Sequence, residues 1–434
     1  MRLPFSKDTL DNGLDVLLHE DRSCPIVAVN LWYHVGSKNE SPGHTGFAHL
    51  FEHLMFEGSQ HYDKGYFHPL QAAGASLNGS TNADRTNYWE LVPTSGLELA
   101  LWMESDRMGY LLPALTEAKL SNQRDVVLNE RRQNYENRPY GLASMALLAA
   151  LFPSDHPYHW TTIGEIADLH AVQLEEVQAF FRRHYHPANA SLAIAGDIDR
   201  GAALALARAY FGDLEPGPPA EPVVAQAALA GDVRIVLEDR VELPRLYMSW
   251  LSPAMFAAGD AELDLVSDLL ANGKTSRLYR RLVFDERIAT DVSAGQSSRE
   301  IAGYFQVTAT AAPGHTLPEI EAIVLDEIAR LAEAGPSDEE MDRGRVQAEA
   351  QFVFRLQTVG GFGGKSDQLN AYNVFVGDPG YFDRDLGRYQ AVTAASLQQV
   401  AATYLCRAPR VSLSIVPRGR THLAIPDSSP AVVS

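Results

Sequence analysis

Gly46-Phe47-Ala48-His49-Leu50-Phe51-Glu52-His53-Leu54-Met55-Phe56 is the stretch on which the reading of this chain turns. As a helix it puts His49 and His53, four apart, on one face with Glu52 beside them. Nearly every other residue in it is apolar, and a helix apolar almost all round is a buried helix. Two imidazoles and a carboxylate in such surroundings are costly without partners. A zinc ion bound by both imidazoles, with the carboxylate turned toward a bound water, removes that cost. Single core histidines are common and usually just hydrogen-bonded. A pair at this spacing with Glu between them is much rarer by chance.

Hydrolytic zinc sites typically use three protein ligands and leave one position for water. The candidate third ligand lies between Leu115 and Glu136. Thr116 can cap a helix there, Glu117 suits its first turn, and Pro139 fits its end. Leu120, Val126 and Val127 are expected to mark the inward face, with Glu130 one turn beyond on that face. A carboxylate on an apolar stripe points to a metal or a buried cation. Taken alone, an ion pair with a neighbouring arginine explains it equally well.

His49-x-x-Glu52-His53 is the inverted form of the His-Glu-x-x-His motif. Followed after 76 residues by Glu130, it resembles the pitrilysin family of zinc peptidases. The likeness covers nearly the whole chain. Asn78 through Tyr88 is similar to the family's active-site edge strand, and His156-Pro157-Tyr158, Gly164-Glu165 and Pro187 through Asp197 also match its pattern. The resemblance implies His49, His53 and Glu130 as zinc ligands and Glu52 as general base. It implies that Asn78 and Gly79 pair with an extended peptide. Relatives often carry an acidic residue seven positions before the ligand Glu; here Gln123 stands there, on the face of Glu130, where it could hydrogen-bond behind the site. Relatives also use an Arg and, seven residues on, a Tyr to grip the peptide from their second domain. Those positions align with Val283 and Thr290, so nearby Arg280 or Arg281, or a partner chain, would have to supply the grip.

The chain has 434 residues, enough for two or three domains. The two halves echo each other. Helix Ala171–Phe181 precedes strand Ser191–Ala195 as helix Leu397–Leu405 precedes strand Ser412–Val416. Strand Val27–Tyr33 leads to the motif helix as Leu246–Trp250 leads to Leu263–Leu270. Aligned on Gly58 and Gly273, Asp264, Ser267 and Asp268 stand opposite His49, Glu52 and His53, so one metal per chain is expected. The expected fold is α+β: two related domains from an internal duplication, each a mostly antiparallel sheet with helices packed on one face. The expected boundaries are 1–214 for the metal-bearing domain, 215–231 for a Pro-rich linker, and 232–434 for the second domain.

A net charge of −19 with no Lys/Arg stripe disfavours nucleic acid. No apolar run is long enough to span a bilayer, and the first residues lack the apolar stretch of a signal peptide. A cytoplasmic location is expected, or a periplasmic one if a signal peptide has been removed. Cys24 and Cys406 suggest neither a zinc cluster nor a disulfide. Gly360 through Lys365 lacks phosphate-loop spacing and reads as a break between two helices. The pairs His156/His159 and His184/His186 read as packing or capping residues. Together with the resemblance, these features imply a zinc-dependent endopeptidase acting on extended peptides or unfolded segments. It is expected to work as a dimer, including a hetero-dimer with a related subunit lacking the zinc motif. The alternative is a catalytically silent subunit that keeps the fold for assembly.

Overall fold

A computed structural model of the chain describes residues 3–433; Met1, Arg2 and Ser434, at the ends of the two expected domains, lie outside the described residues. The first sheet contains β1 (Ser6–Thr9), β2 (Asp15–Glu20), β3 (Ile26–Tyr33), β4 (Ser76–Thr81), β5 (Thr86–Pro93) and β6 (Ala190–Gly196). Its order is β1-β2-β6-β3-β5-β4. The second contains β7 (Val233–Asp239), β8 (Arg245–Ser252), β9 (Ala289–Ser297), β10 (Gly303–Ala311), β11 (Arg410–Pro417) and β12 (Ser429–Pro430), in the order β12-β7-β11-β8-β10-β9.

The duplication is legible in this topology. β2 runs parallel to β6, and β6/β3, β3/β5 and β5/β4 are antiparallel. In the same order β7 runs parallel to β11, and β11/β8, β8/β10 and β10/β9 are antiparallel. Only the outermost strand differs. β1 joins β2 antiparallel, whereas β12, from the chain's other end, joins β7 parallel. The α+β class holds, with both sheets mixed.

Central strands explain the layering. β3 alternates Val29, Leu31 and Tyr33 with Asn30 and Trp32. Helix Leu97–Ala114 lies on β3, and the motif helix Phe47–Leu54 lies on β4 and β5; Tyr33 and Phe51 both pack on the ring of Tyr185. The polar side of β3 is covered too. The helix Lys365–Val376 lies there and presents Asp367, Asn370 and Asn373, one turn apart, to the strands. Asp367 Oδ1 accepts from Trp32 Nε1 at 2.8 Å and from Asn87 Nδ2 at 3.2 Å, and Oδ2 accepts from Gly363 N at 2.7 Å. Asn370 donates to the Asn30 carbonyl and accepts from Ser191 Oγ, both at 2.8 Å. The expectation of helices on one face is therefore incomplete: a sheet whose second face carries Asn, Trp and Ser needs hydrogen-bonding cover, and one helix supplies it.

The chain's compact units are not linear. One comprises residues 1–129, 161–223 and 351–384; the other comprises 130–160, 224–350 and 385–434. Each half thus lends a segment to the other's unit. Within the second unit the apolar helix Ala143–Leu151 lies on β8 and β11. β1 to β6 all precede residue 215 and β7 to β12 all follow residue 231, and residues 215–231 form no helix or strand. Gly360–Gly364 separates helices Asp338–Arg355 and Lys365–Val376, as expected of a helix break. Cys24 and Cys406 are exposed free thiols. Among the described residues, no helix is long and apolar enough to cross a membrane.

Asp367 is buried and accepts several hydrogen bonds as a carboxylate. Asp367→Ala is expected to lower unfolding stability by about 3 kcal/mol, because it strands the Trp32 and Asn87 donors. A urea titration reads this directly; an unchanged midpoint would mean that this polar helix seat contributes nothing.

Candidate functional site

The motif helix begins at Gly46, whose φ of 88° is left-handed. Gly46 has no side chain with which to cap, and Glu40 does that work from outside the helix. The Gly46 and Ala48 N–H groups donate to the two Glu40 carboxylate oxygens, each at 2.9 Å. A negative charge at a helix N-terminus is favourable in its own right. Thr45 is pinned in turn: its N–H and hydroxyl donate to Asp168 Oδ2, at 3.0 and 2.7 Å. A Cβ on Gly164 would lie 2.5 Å from Gly46 Cα, so this approach needs glycine on both sides. Phe47, Ala48, Leu50, Phe51 and Leu54 are buried, while His49, Glu52 and His53 are half-buried along the helix's one open face.

The imidazoles of His49 and His53 stand edge to face, 4.9 Å between centroids. Glu130 comes from the helix Glu117–Arg131, which starts as expected with Thr116 Oγ1 accepting from Lys119 N at 3.3 Å. Its buried side is Leu120, Gln123, Val127 and Leu128. Val126 is 39% exposed, a correction to the expected inward face: six positions from Leu120, it lies on the opposite side of the helix. The helix runs into a wider turn over Arg132–Glu136, which places Asn134 Nδ2 3.3 Å from Glu130 Oε1, as donor. His49, His53 and Glu130 each offer one ligand atom, and these atoms all lie within 4.8 Å of one another. It is the one such group among the described residues. Two imidazole nitrogens and a carboxylate oxygen, half-buried and converging, are a donor set that suits zinc and leaves room for a further ligand.

Around this group the structure refines several expectations. Gln123 is buried, but its amide donates to Glu57 rather than to Glu130. Asn78 through Tyr88 is not one strand. Asn78 and Gly79 lie on β4, which pairs only with β5 and so forms the sheet edge. Asn82 Oδ1 accepts from Asp84 N and Arg85 N to turn the chain, and Thr86–Tyr88 belong to β5. Gly79 N donates to Asn78 Oδ1 at 2.8 Å. A Cβ on Gly79 would come within 3.2 Å of Phe56 and 3.0 Å of Tyr88, so glycine lets β4 lie close to the end of the motif segment.

Sequence reasoning missed the support behind the site. Arg107, Glu104 and Glu90 are fully buried. The Arg107 guanidinium donates to both oxygens of Glu104 and sits 4.0 and 4.1 Å from the rings of Tyr66 and Tyr88. Burial, and then the Glu104 charge beside it, push Glu90 well above the usual carboxylate range. Glu104 and Arg107, three apart and therefore on one helix face in Leu97–Met108, were the available signal.

The second half carries the echo without the chemistry. Helix Asp260–Ala271 also starts after a left-handed glycine, Gly259 with φ 95°. Its Asp264 accepts from the Tyr389 hydroxyl at 2.5 Å and Asp268 from Asn272 Nδ2 at 2.9 Å. Val283 packs against the second core, and Thr290, on the edge strand β9, donates to Asp291. Arg281 is held by Glu286, Asp326 and Glu327, so it is not free to take over a peptide grip. The other histidines do pack and cap. His156 stacks on Phe152 and His159 Nδ1 bonds the Phe152 carbonyl. Burial lowers the His184 pKa to about 4.

Residues 15–158 match the family described as Insulinase (Peptidase family M16), and residues 171–347 match the Peptidase M16 inactive domain. Zinc protease PqqE of Helicobacter pylori is 27% identical over 356 residues, 81% of this chain and 80% of that protein. An uncharacterized zinc protease of Streptomyces coelicolor is 26% identical over 418 residues, 94% of this chain and 88% of that one. A solved protease structure from Helicobacter pylori shares the fold at a TM-score of 0.87 and 24% identity, covering 96% of this chain and all of that chain. His49, Glu52, His53 and Glu130 all fall in the first matched region.

Because Glu40 accepts from the Gly46 and Ala48 N–H groups at the start of the motif helix, Glu40→Ala is expected to cost about 1–2 kcal/mol of stability. It should also weaken metal binding, since the helix start carries His49. Denaturant titration and a competitive zinc titration of the variant check the two parts; wild-type values in both would show that the cap does not position the helix.

Proposed function

We propose, for a chain that belongs to peptidase family M16, zinc-dependent endopeptidase activity on extended peptides. The observation that carries this reading is the convergence of His49, His53 and Glu130 within ligand distance of one another, with Glu52 on the same open helix face. His49, His53 and Glu130 would hold the ion. Zinc bound there would supply Lewis acidity to the scissile carbonyl and bring a water into the range where it ionises near neutral pH.

Glu52 is the general base. It takes one proton from the attacking water as the oxygen bonds to the carbonyl carbon, and it returns that proton to the amide nitrogen as the C–N bond breaks. The water's second proton leaves the new carboxyl group for the amine or for solvent, so the products are a carboxylate and an amine, and Glu52 ends ionised as it began. Arg85, at the turn between β4 and β5, lies within the electrostatic reach of Glu52. Asn134 orients the Glu130 carboxylate from one turn further on. The open edge of β4 offers main-chain pairing to an extended peptide, with the Asn78 side chain swinging off Gly79 N–H to admit it. Pairing of this kind reads backbone more than side chains, which fits broad specificity.

A second reading concerns assembly. The chain has Val283 and Thr290 at the aligned grip positions, and Arg281 is already committed to three carboxylates. A second, related subunit supplying that grip would complete the machinery. On this reading the isolated chain binds zinc but turns over slowly until its partner is added.

Glu52→Gln is expected to reduce hydrolysis of a fluorogenic peptide by at least about a hundredfold while zinc content stays near one per chain. Near-normal turnover in the variant would remove Glu52 from the role of base. Loss of zinc along with activity would make Glu52 a ligand instead.

A further inference from the structure

Within the second unit a cavity of about 570 Å³ opens beside the turn that follows Glu130. Asn134, Tyr140, Arg245, Tyr247, Tyr304 and Gln306 are among its walls. Asn134 is the residue that donates to Glu130, so this cavity begins one side chain away from a candidate metal ligand.

Arg245 lines the cavity and is held from two sides. Its Nε donates to Thr310 Oγ1 at 2.7 Å, and its guanidinium carbon lies 3.8 Å from the centroid of the Tyr140 ring. Tyr140 is itself over-determined. It has a φ of 61°, a left-handed conformation that costs a non-glycine residue on the order of 1–2 kcal/mol. Its N–H donates to Asp239 Oδ2 at 2.7 Å and its hydroxyl to the Leu243 carbonyl at 2.8 Å, which together fix the ring beneath the guanidinium. A Cβ on the next residue, Gly141, would lie 2.1 Å from the Tyr135 carbonyl oxygen, so the turn is closed on glycine. Backbone strain maintained by this many contacts is found where a geometry is used.

Two acidic residues of this region, Asp291 and Asp239, already accept hydrogen bonds from other groups. Asp291 accepts from Thr310 Oγ1 at 3.1 Å and Thr290 Oγ1 at 3.0 Å, and Asp239 from Tyr140 N and Arg240 N. Among the described residues Arg245 forms no ion pair; its fixed partners are Thr310 and the Tyr140 ring, with the Tyr247 hydroxyl also in reach. A guanidinium stacked on a ring and anchored through Nε keeps its outer nitrogens for a planar acceptor, and a carboxylate matches that fork.

We infer that this cavity is a substrate subsite that takes a carboxylate of the bound peptide, either an Asp or Glu side chain or the C-terminal group, on the Arg245 fork. The inference deepens the peptidase reading and rests on it for the identity of the ligand. It also runs against the chain's overall charge: a protein of net charge −19 would otherwise favour basic peptides.

The test uses the full-length, zinc-loaded Glu52→Gln protein, so that binding is read without turnover. The probes are fluorescein-labelled nonapeptides, each containing a single Glu or its Gln counterpart and each made as the C-terminal acid and amide. The Glu peptide should bind about tenfold or more tighter than the Gln peptide if a side chain occupies the subsite. The acid should outbind the amide by a similar factor if the C-terminus does. Adding Arg245→Gln should erase whichever preference is found, and Arg245→Lys should keep part of it, because a point charge remains without the fork. Equal affinity across all four peptides, no binding by any, or a preference that survives Arg245→Gln overturns the proposal. Cleavage of the same peptides by the wild-type protein is scored separately. Binding preference without cleavage would count against the peptidase reading and leave the subsite standing, and cleavage without preference would do the reverse.

Discussion

Three polar side chains on the one open face of a buried helix set the terms for everything around them. Burial of Phe47, Leu50, Phe51 and Leu54 drives the helix into the first core, and the same burial would make His49, Glu52 and His53 costly unless their positions were held and used. The surrounding structure holds them. Glu40 answers the helix's first N–H groups, Gly46 and Gly164 allow backbone to touch backbone, and the Arg107–Glu104–Glu90 cluster stiffens the sheet and helix behind Phe56. Each element spends polar groups or glycine where an apolar core would have been simpler, a pattern that stability alone does not require.

The duplicated architecture puts this in relief. Both halves present a left-handed glycine, a helix and a sheet in the same order. In one, the exposed helix face carries imidazoles. In the other, Asp264 and Asp268 are tied to Tyr389 and Asn272. With the metal-type face confined to one copy, the second is released for other work, and its Arg245 is held between Thr310 and the Tyr140 ring. The exchange of segments between the units has a physical basis as well: the polar face of the first sheet requires a helix bearing Asp and Asn, and Lys365–Val376 is one.

What the sequence disclosed was what short-range periodicity and spacing encode. The motif helix and the helix of Glu130 were readable because each depends on residues a few positions apart, and the paired halves because each repeats the same local order of helix and strand. Val126 was misplaced because two adjacent valines suggested a face, whereas the helical period from Leu120 runs through Gln123 and Val127. The break in Asn78–Tyr88 was present as a turn-forming Asn82 but was overridden by the apparent continuity of the segment. The partnership of Gln123 with Glu57 and the seat of Asp367 on Trp32 and Asn87 join residues 66, 335 and 280 positions apart, and no local pattern announces them. Glu40 is the instructive case, since it is close in sequence to the helix it caps yet lies outside the capping positions where one looks.

The central claim is that His49, His53 and Glu130 together form one zinc site. X-ray absorption at the zinc K-edge on the purified full-length protein tests it most directly. The account predicts one zinc per chain, ligated by nitrogen and oxygen at about 2.0–2.2 Å with the multiple-scattering signature of two imidazoles and no sulfur. In Glu130→Gln the imidazole signature should persist while the bound fraction falls. A protein that retains no zinc after loading, or a spectrum with a single imidazole or a sulfur ligand, would contradict it.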